Sequence, residues 1–136
     1  MDYKYAVMPI LAWFAAGTVK FVVNYIRFRK EAVALIGNGG FPSTHTTVIS
    51  STVFFIGFSE GINVPIFSLG VAVLMITIFD AVGIRRAVGK QAAMLNQYVI
   101  SDQATKRLRE RQGHSPLEVA GGLVVGFILA FLLHHM

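Results

Sequence analysis

Four apolar segments, separated by polar or basic stretches, constrain this chain more than any other feature of its sequence. A transmembrane helix needs about 20 apolar residues, and the first segment reaches that length while the others are shorter. Hydrophobic residues make up 54% of the 136 residues and charged residues only 14%, which leaves too little polar surface to cover a small soluble domain. We therefore predict a single all-α domain over residues 1–136, a polytopic membrane helical bundle with about four membrane segments. The segments are Tyr5–Ile26, His45–Phe58, Pro65–Phe79 and Leu117–Leu133.

The connection between the third and fourth segments is polar and basic. It runs from Gly83 to Arg111, and its stretch Ala87–Arg109 lacks proline and contains alanine, leucine and long polar residues. This composition favours a helix, so we predict a basic amphipathic helical loop here. The chain has no cysteine, which excludes disulfides, thiolate metal ligands and a cysteine nucleophile.

Positive charge is concentrated at one predicted face of the bundle. Ten of the twelve Lys and Arg residues lie in two stretches that share this face. Basic loops tend to stay in the cytoplasm, so we predict that these two stretches are cytoplasmic and that both termini lie outside. The membrane that we expect is the plasma membrane of a prokaryote. Basic residues that bind phosphate would give the same distribution. No nucleic-acid partner is expected, because the charges are not interleaved with aromatic residues on a polar surface. The ten residues are Arg27, Arg29, Lys30, Arg85, Arg86, Lys90, Lys106, Arg107, Arg109 and Arg111.

A glycine pair, a proline and a histidine lie in residues 39–45, just before the second segment. The glycines permit an unusual backbone path, and the proline suits a helix start. Ser43 or Thr44 can cap the helix that follows, with His45 in its first turn. The free N–H groups and the positive dipole end of such a helix can bind an anion such as phosphate. An ordinary turn with an N-cap would use the same residue types.

Polar residues gather at one end of the predicted bundle. With four spans, the end of the first segment, the start of the second, the end of the third and the start of the fourth must lie together. Scattered polar residues would not be expected to collect there. The set comprises Lys20, Arg27, Ser43, His45, Asp80, Arg85, Arg86, His114 and Glu118.

This set of residues suits phosphoryl transfer. Cations and a helix N-terminus can hold a phosphoryl group, while one histidine attacks phosphorus and another protonates the leaving oxygen. Glu118 follows His114 by four residues, a spacing at which the carboxylate can orient the imidazole. Two histidines without a cluster of carboxylates supply a metal site poorly, so neither a metal nor another cofactor is expected.

Three parts of the sequence resemble the type 2 phosphatidic acid phosphatase and vanadium haloperoxidase superfamily, whose pattern is K-x6-R-P, P-S-G-H and S-R-x5-H-x3-D. The corresponding residues are Lys20 with Arg27, then residues 42–45, then His114 with Glu118. Nearly the whole chain is similar to the divergent, acid-phosphatase-related branch of this superfamily. That closer likeness lies in residues 40–45, 80–91 and 113–119.

The resemblance implies a role for each matched residue. His45 would be the general acid and His114 the nucleophile that forms a phosphohistidine, with Glu118 as its orienting carboxylate. The implied phosphate ligands are Lys20, Arg27 and Ser43.

The sequence also departs from the superfamily pattern. Phe28, Thr44 and Glu118 stand in place of a proline, a glycine and an aspartate. The chain has four predicted spans where membrane members of the superfamily usually have six. The pocket could therefore be shallow, or a second subunit could complete it in a homo-oligomer.

The arginine of the third motif is missing, because Leu108 occupies its position. Arg107 or Arg109 could serve by a shift, but we favour Arg85 or Arg86, at the end of the third segment, as the substitute. The supporting residues predicted near them are Asp80, Lys90 and Gln91.

Several of these residues have a simpler explanation. Residues 115–118 form a capping box with proline at the first helical position, which alone would explain Glu118. Asp80 could serve only to pair with Lys20 or an arginine, and Lys20 could extend to the interface. A basic surface that faces lipid headgroups would explain Arg107, Arg109 and Arg111. Close helix packing would explain Gly121, Gly122 and Gly126.

We expect an integral membrane enzyme that hydrolyses a lipid phosphate or lipid diphosphate as a metal-independent histidine phosphatase. The alternative is a non-enzymatic membrane protein that binds anionic lipid or scaffolds partners with a degenerate phosphatase site. A small transporter is less favoured, because the polar residues gather at one end of the bundle rather than at its midplane.

Overall fold

The computed structural model describes residues 3–29, 40–98 and 107–136, and this part of the chain forms a helical bundle. The prediction of an all-α membrane bundle is confirmed. Within the described residues, three helical stretches are long and apolar enough to cross a membrane: Lys4–Ile26, Pro65–Tyr98 and Pro116–His135. The elements are α1 (Lys4–Phe28), α2 (Thr44–Ser59), α3 (Pro65–Phe79), a π-helix (Asp80–Ile84), α4 (Arg85–Tyr98) and α5 (Pro116–His135).

The shortest of the predicted segments lies at the centre of the bundle. Helix α2 packs against α1, α3 and α5, and its closest partner is α5. Its 16 residues extend about 24 Å at the usual rise per residue, which is less than the roughly 30 Å of a bilayer's hydrocarbon core. Longer helices therefore surround a short polar one, and α2 is covered by protein along much of its length.

The contact between α2 and α5 depends on glycine. A Cβ atom at Gly122 would lie 2.8 Å from the Ser43 carbonyl oxygen and 2.9 Å from Thr46 Cβ. A Cβ atom at Gly126 would lie 2.9 Å from the backbone nitrogen of Ser51 and would overlap the hydroxyl of Ser50. The two backbones approach this closely because neither glycine has a side chain. The predicted close packing at these glycines is confirmed.

The buried face of α2 is lined by hydroxyl groups rather than by large apolar side chains. Thr46 Oγ1 donates to Ser43 Oγ at 2.9 Å, and Thr47 Oγ1 donates to the Ser43 carbonyl oxygen at 2.9 Å. Ser50 Oγ donates across the helix interface to the Gly122 carbonyl oxygen at 3.4 Å. Every buried side-chain nitrogen or oxygen in the described part of the chain has a partner. The polar core therefore avoids the cost of unpaired polar groups away from water.

The outer surface of the bundle is apolar. None of the residues of α3 is buried, and its exposed side chains include Leu69, Val73 and Ile76. Outward-facing side chains of this kind are expected where lipid replaces water around the protein.

Hydrogen bonds join the helices at both ends of the bundle. At one end, the Tyr5 hydroxyl donates to Glu60, and Ser59 lies 3.3 Å from a ring nitrogen of His134. At the other end, the Ser43 N–H donates to the Glu118 carbonyl oxygen at 2.8 Å. The helices therefore alternate in direction as predicted, and the residues expected to gather do lie at one end.

The basic loop differs from its prediction. Helix α4 confirms a helix in this connection, and it forms one continuous helical stretch with α3 and the π-helix. Residues 107–111 are not helical, so the predicted end at Arg109 was wrong. The returning segment is instead held by a side-chain contact: Asn96 Nδ2 donates to the Leu108 carbonyl oxygen, and the Leu108 N–H donates back to Asn96 Oδ1, each at 2.8 Å. This exchange pairs the returning chain with α4 as a non-helical segment. The rest of the predicted loop helix, residues 99–106, lies outside the described residues.

We expect Gly126→Ala to lower the free energy of unfolding by about 1–3 kcal/mol, the usual effect of forcing a methyl group into a packed interior. The matched control is Gly17→Ala, because a Cβ atom there meets nothing within 4 Å. That variant should keep or slightly raise stability, since alanine favours a helix more than glycine does. Unfolding in mixed micelles, followed by circular dichroism, measures both. Equal losses in the two variants would contradict the packing argument.

Candidate active site

A cavity of about 330 Å³ lies at the end of the bundle where α2 and α5 begin. It brings both predicted catalytic histidines together with a lysine and three arginines. The arrangement is strongly cationic, and it suits an anionic ligand. The lining residues are Lys20, Thr44, His45, Arg85, Arg109, Arg111, Gln112, Gly113 and His114.

The first turn of α2 supplies one wall of this cavity. Ser43 is the N-cap and has an extended backbone, and its hydroxyl accepts from the Thr46 N–H at 3.4 Å. His45 is then the second residue of the helix, as predicted. Lys20 reaches the same wall from α1 and donates from Nζ to Thr44 Oγ1 at 3.2 Å. A lysine and the positive end of a helix dipole thus adjoin one cavity.

Ser43 itself does not line the cavity. It is completely buried, and its hydroxyl accepts hydrogen bonds from both the backbone and the side chain of Thr46. Its N–H donates to the Glu118 carbonyl oxygen, which joins the starts of α2 and α5. The structure thus gives Ser43 the capping role that its sequence position also predicted, and does not place it as a phosphate ligand.

His114 and Glu118 are in contact across one turn at the start of α5. His114 Nδ1 lies 3.3 Å from Glu118 Oε2, and the same oxygen accepts from the Ser115 N–H at 2.8 Å. The Glu118 N–H donates to Ser115 Oγ, which completes the predicted capping box. One carboxylate oxygen therefore caps the helix and holds the imidazole, so Glu118 can serve both as a helix cap and as the orienting partner of His114. With Nδ1–H donating to this oxygen, Nε2 carries the free lone pair.

The backbone of His114 is held by the π-helix. The His114 N–H donates to the Ala81 carbonyl oxygen at 2.9 Å. Gly113 precedes it with φ +76°, and a Cβ atom there would lie 2.6 Å from that carbonyl oxygen and 2.9 Å from the Arg86 nitrogen. Both the positive φ and the close backbone contacts require glycine at this position. π-Helical turns are rare and are frequent at functional sites, and here one fixes the position of the histidine.

Three arginines reach the cavity from two parts of the chain. Arg85 follows the π-helix and donates from Nε to Asp80 Oδ2 at 2.5 Å, so the predicted pairing of Asp80 with an arginine is confirmed. Arg109 and Arg111 come from the non-helical segment that Asn96 holds beside α4.

Sequence reasoning missed Arg111 and gave Arg109 only a secondary place. The signal that could have found them is Gly89, a glycine inside a helical pattern. A Cβ atom at Gly89 would overlap the Glu110 carbonyl oxygen. Close approach of another backbone is a common reason for a glycine at such a position.

Arg86, Lys90 and Gln91 do not line this cavity. The backbone and Cγ of Arg86 pack against Gly113. Lys90 and Gln91 are exposed on α4. Arg27 belongs to α1, but its side chain lies outside the described residues.

Burial is the main influence on the His114 imidazole. The ring is buried, which lowers the pKa of His114 below its ordinary value of 6.5. The hydrogen bond and negative charge of Glu118 raise the pKa, while the positive charges of Lys20 and His45 lower it further. Since the net shift is downward, the neutral ring persists at pH values below 6.5. In that form Nε2 is available as a nucleophile.

The donor set of the site favours an anion over a cation. No group of three or more histidine, aspartate or glutamate residues within the described ranges could hold a metal ion. The cavity instead presents ammonium, guanidinium and hydroxyl donors, the groups that bind phosphate oxygens.

A family model and a known protein match this chain. The sequence model of a family described as "Divergent PAP2 family" matches residues 1–129, which include every residue that lines the cavity. The chain belongs to the Divergent PAP2 family. A similar protein is the uncharacterized membrane protein YuiD of Bacillus subtilis (strain 168), which is 29% identical over an alignment 146 positions long that covers 92% of each chain. No solved structure gives a significant match.

Membership of the Divergent PAP2 family confirms the predicted branch of the superfamily. Together with the membrane-protein relative and the three apolar helices, it identifies an integral membrane protein related to phosphatases.

We expect the His114 ring to titrate below its ordinary pKa of 6.5 in the wild-type protein and lower still in Glu118→Gln. The amide can keep the helix cap but removes the negative charge that favours imidazolium, so the pKa must fall. NMR titration of ring-labelled histidine in micelles measures this shift, with the His134 and His135 signals as internal references at the opposite end of the bundle. A His114 pKa that rises in Glu118→Gln would contradict the assigned contact.

Proposed function

We propose that this Divergent PAP2 family protein hydrolyses a lipid phosphate or lipid diphosphate through a phosphohistidine formed on His114. The observation that supports this most directly is the fixation of His114 at two points. Its backbone is bound to the Ala81 carbonyl oxygen and its Nδ1 to Glu118, beside a cationic cavity. A nucleophile held in this way loses little orientational freedom in the reaction.

In the first step, His114 Nε2 attacks phosphorus. The N–P bond forms as the bond from phosphorus to the leaving oxygen breaks. His45, as imidazolium, gives its proton to that oxygen, and a lipid alcohol or a lipid monophosphate departs. The carboxylate of Glu118 stabilises the positive charge that develops on the His114 ring.

In the second step, water replaces the histidine. His45, now neutral, takes a proton from a water molecule whose oxygen attacks phosphorus. The P–N bond breaks, inorganic phosphate leaves, and both histidines return to their starting protonation states. Lys20, Arg85 and Arg111 line the same cavity and offset the negative charge of the phosphoryl oxygens in both steps.

The position of the cavity supports a lipid substrate. The cavity lies at the end of a bundle whose outer helices are apolar, so its mouth is near the level where lipid headgroups meet water. A phosphate group can enter there while its hydrocarbon chain stays among other lipids.

We expect the wild-type protein to release phosphate from lipid phosphates in liposomes with EDTA present, and His114→Ala to abolish release. His45→Gln should slow it about 10²- to 10⁴-fold, the usual contribution of a positioned general acid. His134→Gln, at the other end of α5, is the matched control and should keep wild-type activity. A colorimetric phosphate assay over a panel of lipid monophosphates and diphosphates makes the measurement.

The intermediate gives a second readout of the same experiment. A base-stable, acid-labile phosphoryl group should map to His114 after an alkaline quench. Full activity in His114→Ala, or activity that requires an added divalent metal, would overturn the proposal.

Binding without hydrolysis is the second candidate function. It is favoured by the cations that line the cavity, since they can hold an anionic lipid headgroup whether or not His114 reacts. The lipid-phosphate assay also decides between the two. A folded protein that binds lipid phosphate, loses that binding in Arg111→Gln, keeps it in His114→Ala and releases no phosphate would be a lipid-binding or scaffold protein.

We also propose that the cavity faces the cytoplasm, in the plasma membrane of a prokaryote, because the basic connections lie at its end of the bundle. The chain has no cysteine, so single cysteines report orientation directly. A membrane-impermeant maleimide should label Asn63→Cys, in the turn at the opposite end, on intact cells. It should label Arg107→Cys only after lysis. Labelling of Arg107→Cys on intact cells would reverse the orientation.

A further inference from the structure

A second cavity, of about 540 Å³, adjoins the cationic one along the outer face of α1. We call it the α1 groove. Its apolar lining comes mainly from Trp13, Phe14, Gly17 and Phe21. Lys20 and Thr44 line both cavities, so the groove and the cationic cavity meet at these two residues.

The groove changes from polar to apolar along its length. Lys20 and the buried Asn24 lie at the end nearest the cationic cavity, while Trp13 lies near the middle of α1. From Lys20 back to Trp13 the groove extends about 10 Å along the helix axis, at the usual rise of 1.5 Å per residue. Its course thus leads from the cationic cavity towards the interior of the bilayer.

Gly17 makes the floor of the groove. A Cβ atom at this position would have no heavy atom within 4 Å, so the glycine is not needed for packing. The neighbouring Ala16 is completely buried, whereas Gly17 is exposed. Gly17 therefore leaves open space on the lipid side between aromatic side chains.

We propose that the α1 groove binds the hydrocarbon chain of the substrate, with Gly17 as the residue that admits it. The inference rests on the proposed function and assigns the substrate to lipids that present one chain next to the phosphate group. An occupant with an anionic head and an apolar tail matches both cavities at once. The head lies beyond Lys20, beside His114, and the tail runs past Phe21 to Trp13.

The groove acts through shape. Lipid chains are as apolar as the groove lining, so moving a chain from the bilayer into the groove gains little from the hydrophobic effect. What the groove provides is a path that directs the phosphate into the cationic cavity. A bulky side chain at Gly17 should block that path without disturbing helix packing.

A photoreactive substrate analogue tests this assignment without requiring turnover. The probe is a straight-chain alkyl monophosphate with a diazirine near the middle of its chain, and the comparison probe is the alcohol of the same chain. Both are added to the full-length protein in lipid nanodiscs and mapped by mass spectrometry. We expect the phosphate probe to label residues 13–21 of α1 at least fivefold more than the alcohol does.

The variants separate the groove from general lipid contact. Gly17→Trp should reduce phosphate-probe labelling of α1 at least fivefold, whereas Val22→Trp, which places the same side chain at an exposed α1 position outside the groove, should not. Labelling that is equal for the two probes, unchanged in Gly17→Trp or spread over α3 would overturn the assignment. Absence of α1 labelling by either probe, as expected if a second copy of the chain covers the groove, would overturn it too.

The same samples distinguish this inference from the proposed function. If α1 is labelled as expected but no lipid phosphate is hydrolysed, the result supports chain binding in the groove and contradicts the proposed phosphatase activity. If phosphate is released while the labelling pattern of Gly17→Trp matches that of wild type, the result supports the phosphatase activity and contradicts chain binding in the groove.

Discussion

The close contact between the hydroxyl face of α2 and the glycine face of α5 is the constraint on which the rest of the structure depends. It lets a short polar helix lie inside a membrane protein, because each buried hydroxyl has a protein partner. It also fixes the starts of the two helices side by side, through the bond from the Ser43 N–H to the Glu118 carbonyl oxygen. His45 and His114, which lie far apart in sequence, line one cavity for that reason.

The π-helix between α3 and α4 adds the second constraint. Its Ala81 carbonyl oxygen accepts from the His114 N–H, and Arg85 follows it directly at the cavity. A regular helix would rotate everything after this point, so the wider turn sets both the position of His114 and the direction of Arg85. The tight fit of Gly113 against the same turn shows that the two segments are matched in shape.

Local sequence patterns predicted the helices, the gathering of polar residues at one end and the capping box, because these depend on apolar periodicity and on spacings within one turn. They could not place Arg109 and Arg111 in the cavity. That placement depends on Asn96, which exchanges hydrogen bonds with Leu108 and looks in sequence like any polar residue of a helix. Nor could they show that Ser43 is buried, because its burial arises from α5, more than 70 residues away along the chain.

Lys20 connects the two cavities, and its position bears on how a substrate would be selected. In a bilayer the α1 groove is never empty, since lipid chains contact any exposed apolar surface. A substrate chain therefore replaces another chain, and the exchange is nearly neutral in free energy. Under the proposed function, contacts to phosphate would supply most of the affinity, while the groove would decide which phosphates arrive in a reactive orientation. A water-soluble phosphate ester would meet the same cations without that guidance, so lipid substrates would be favoured through orientation more than through binding strength.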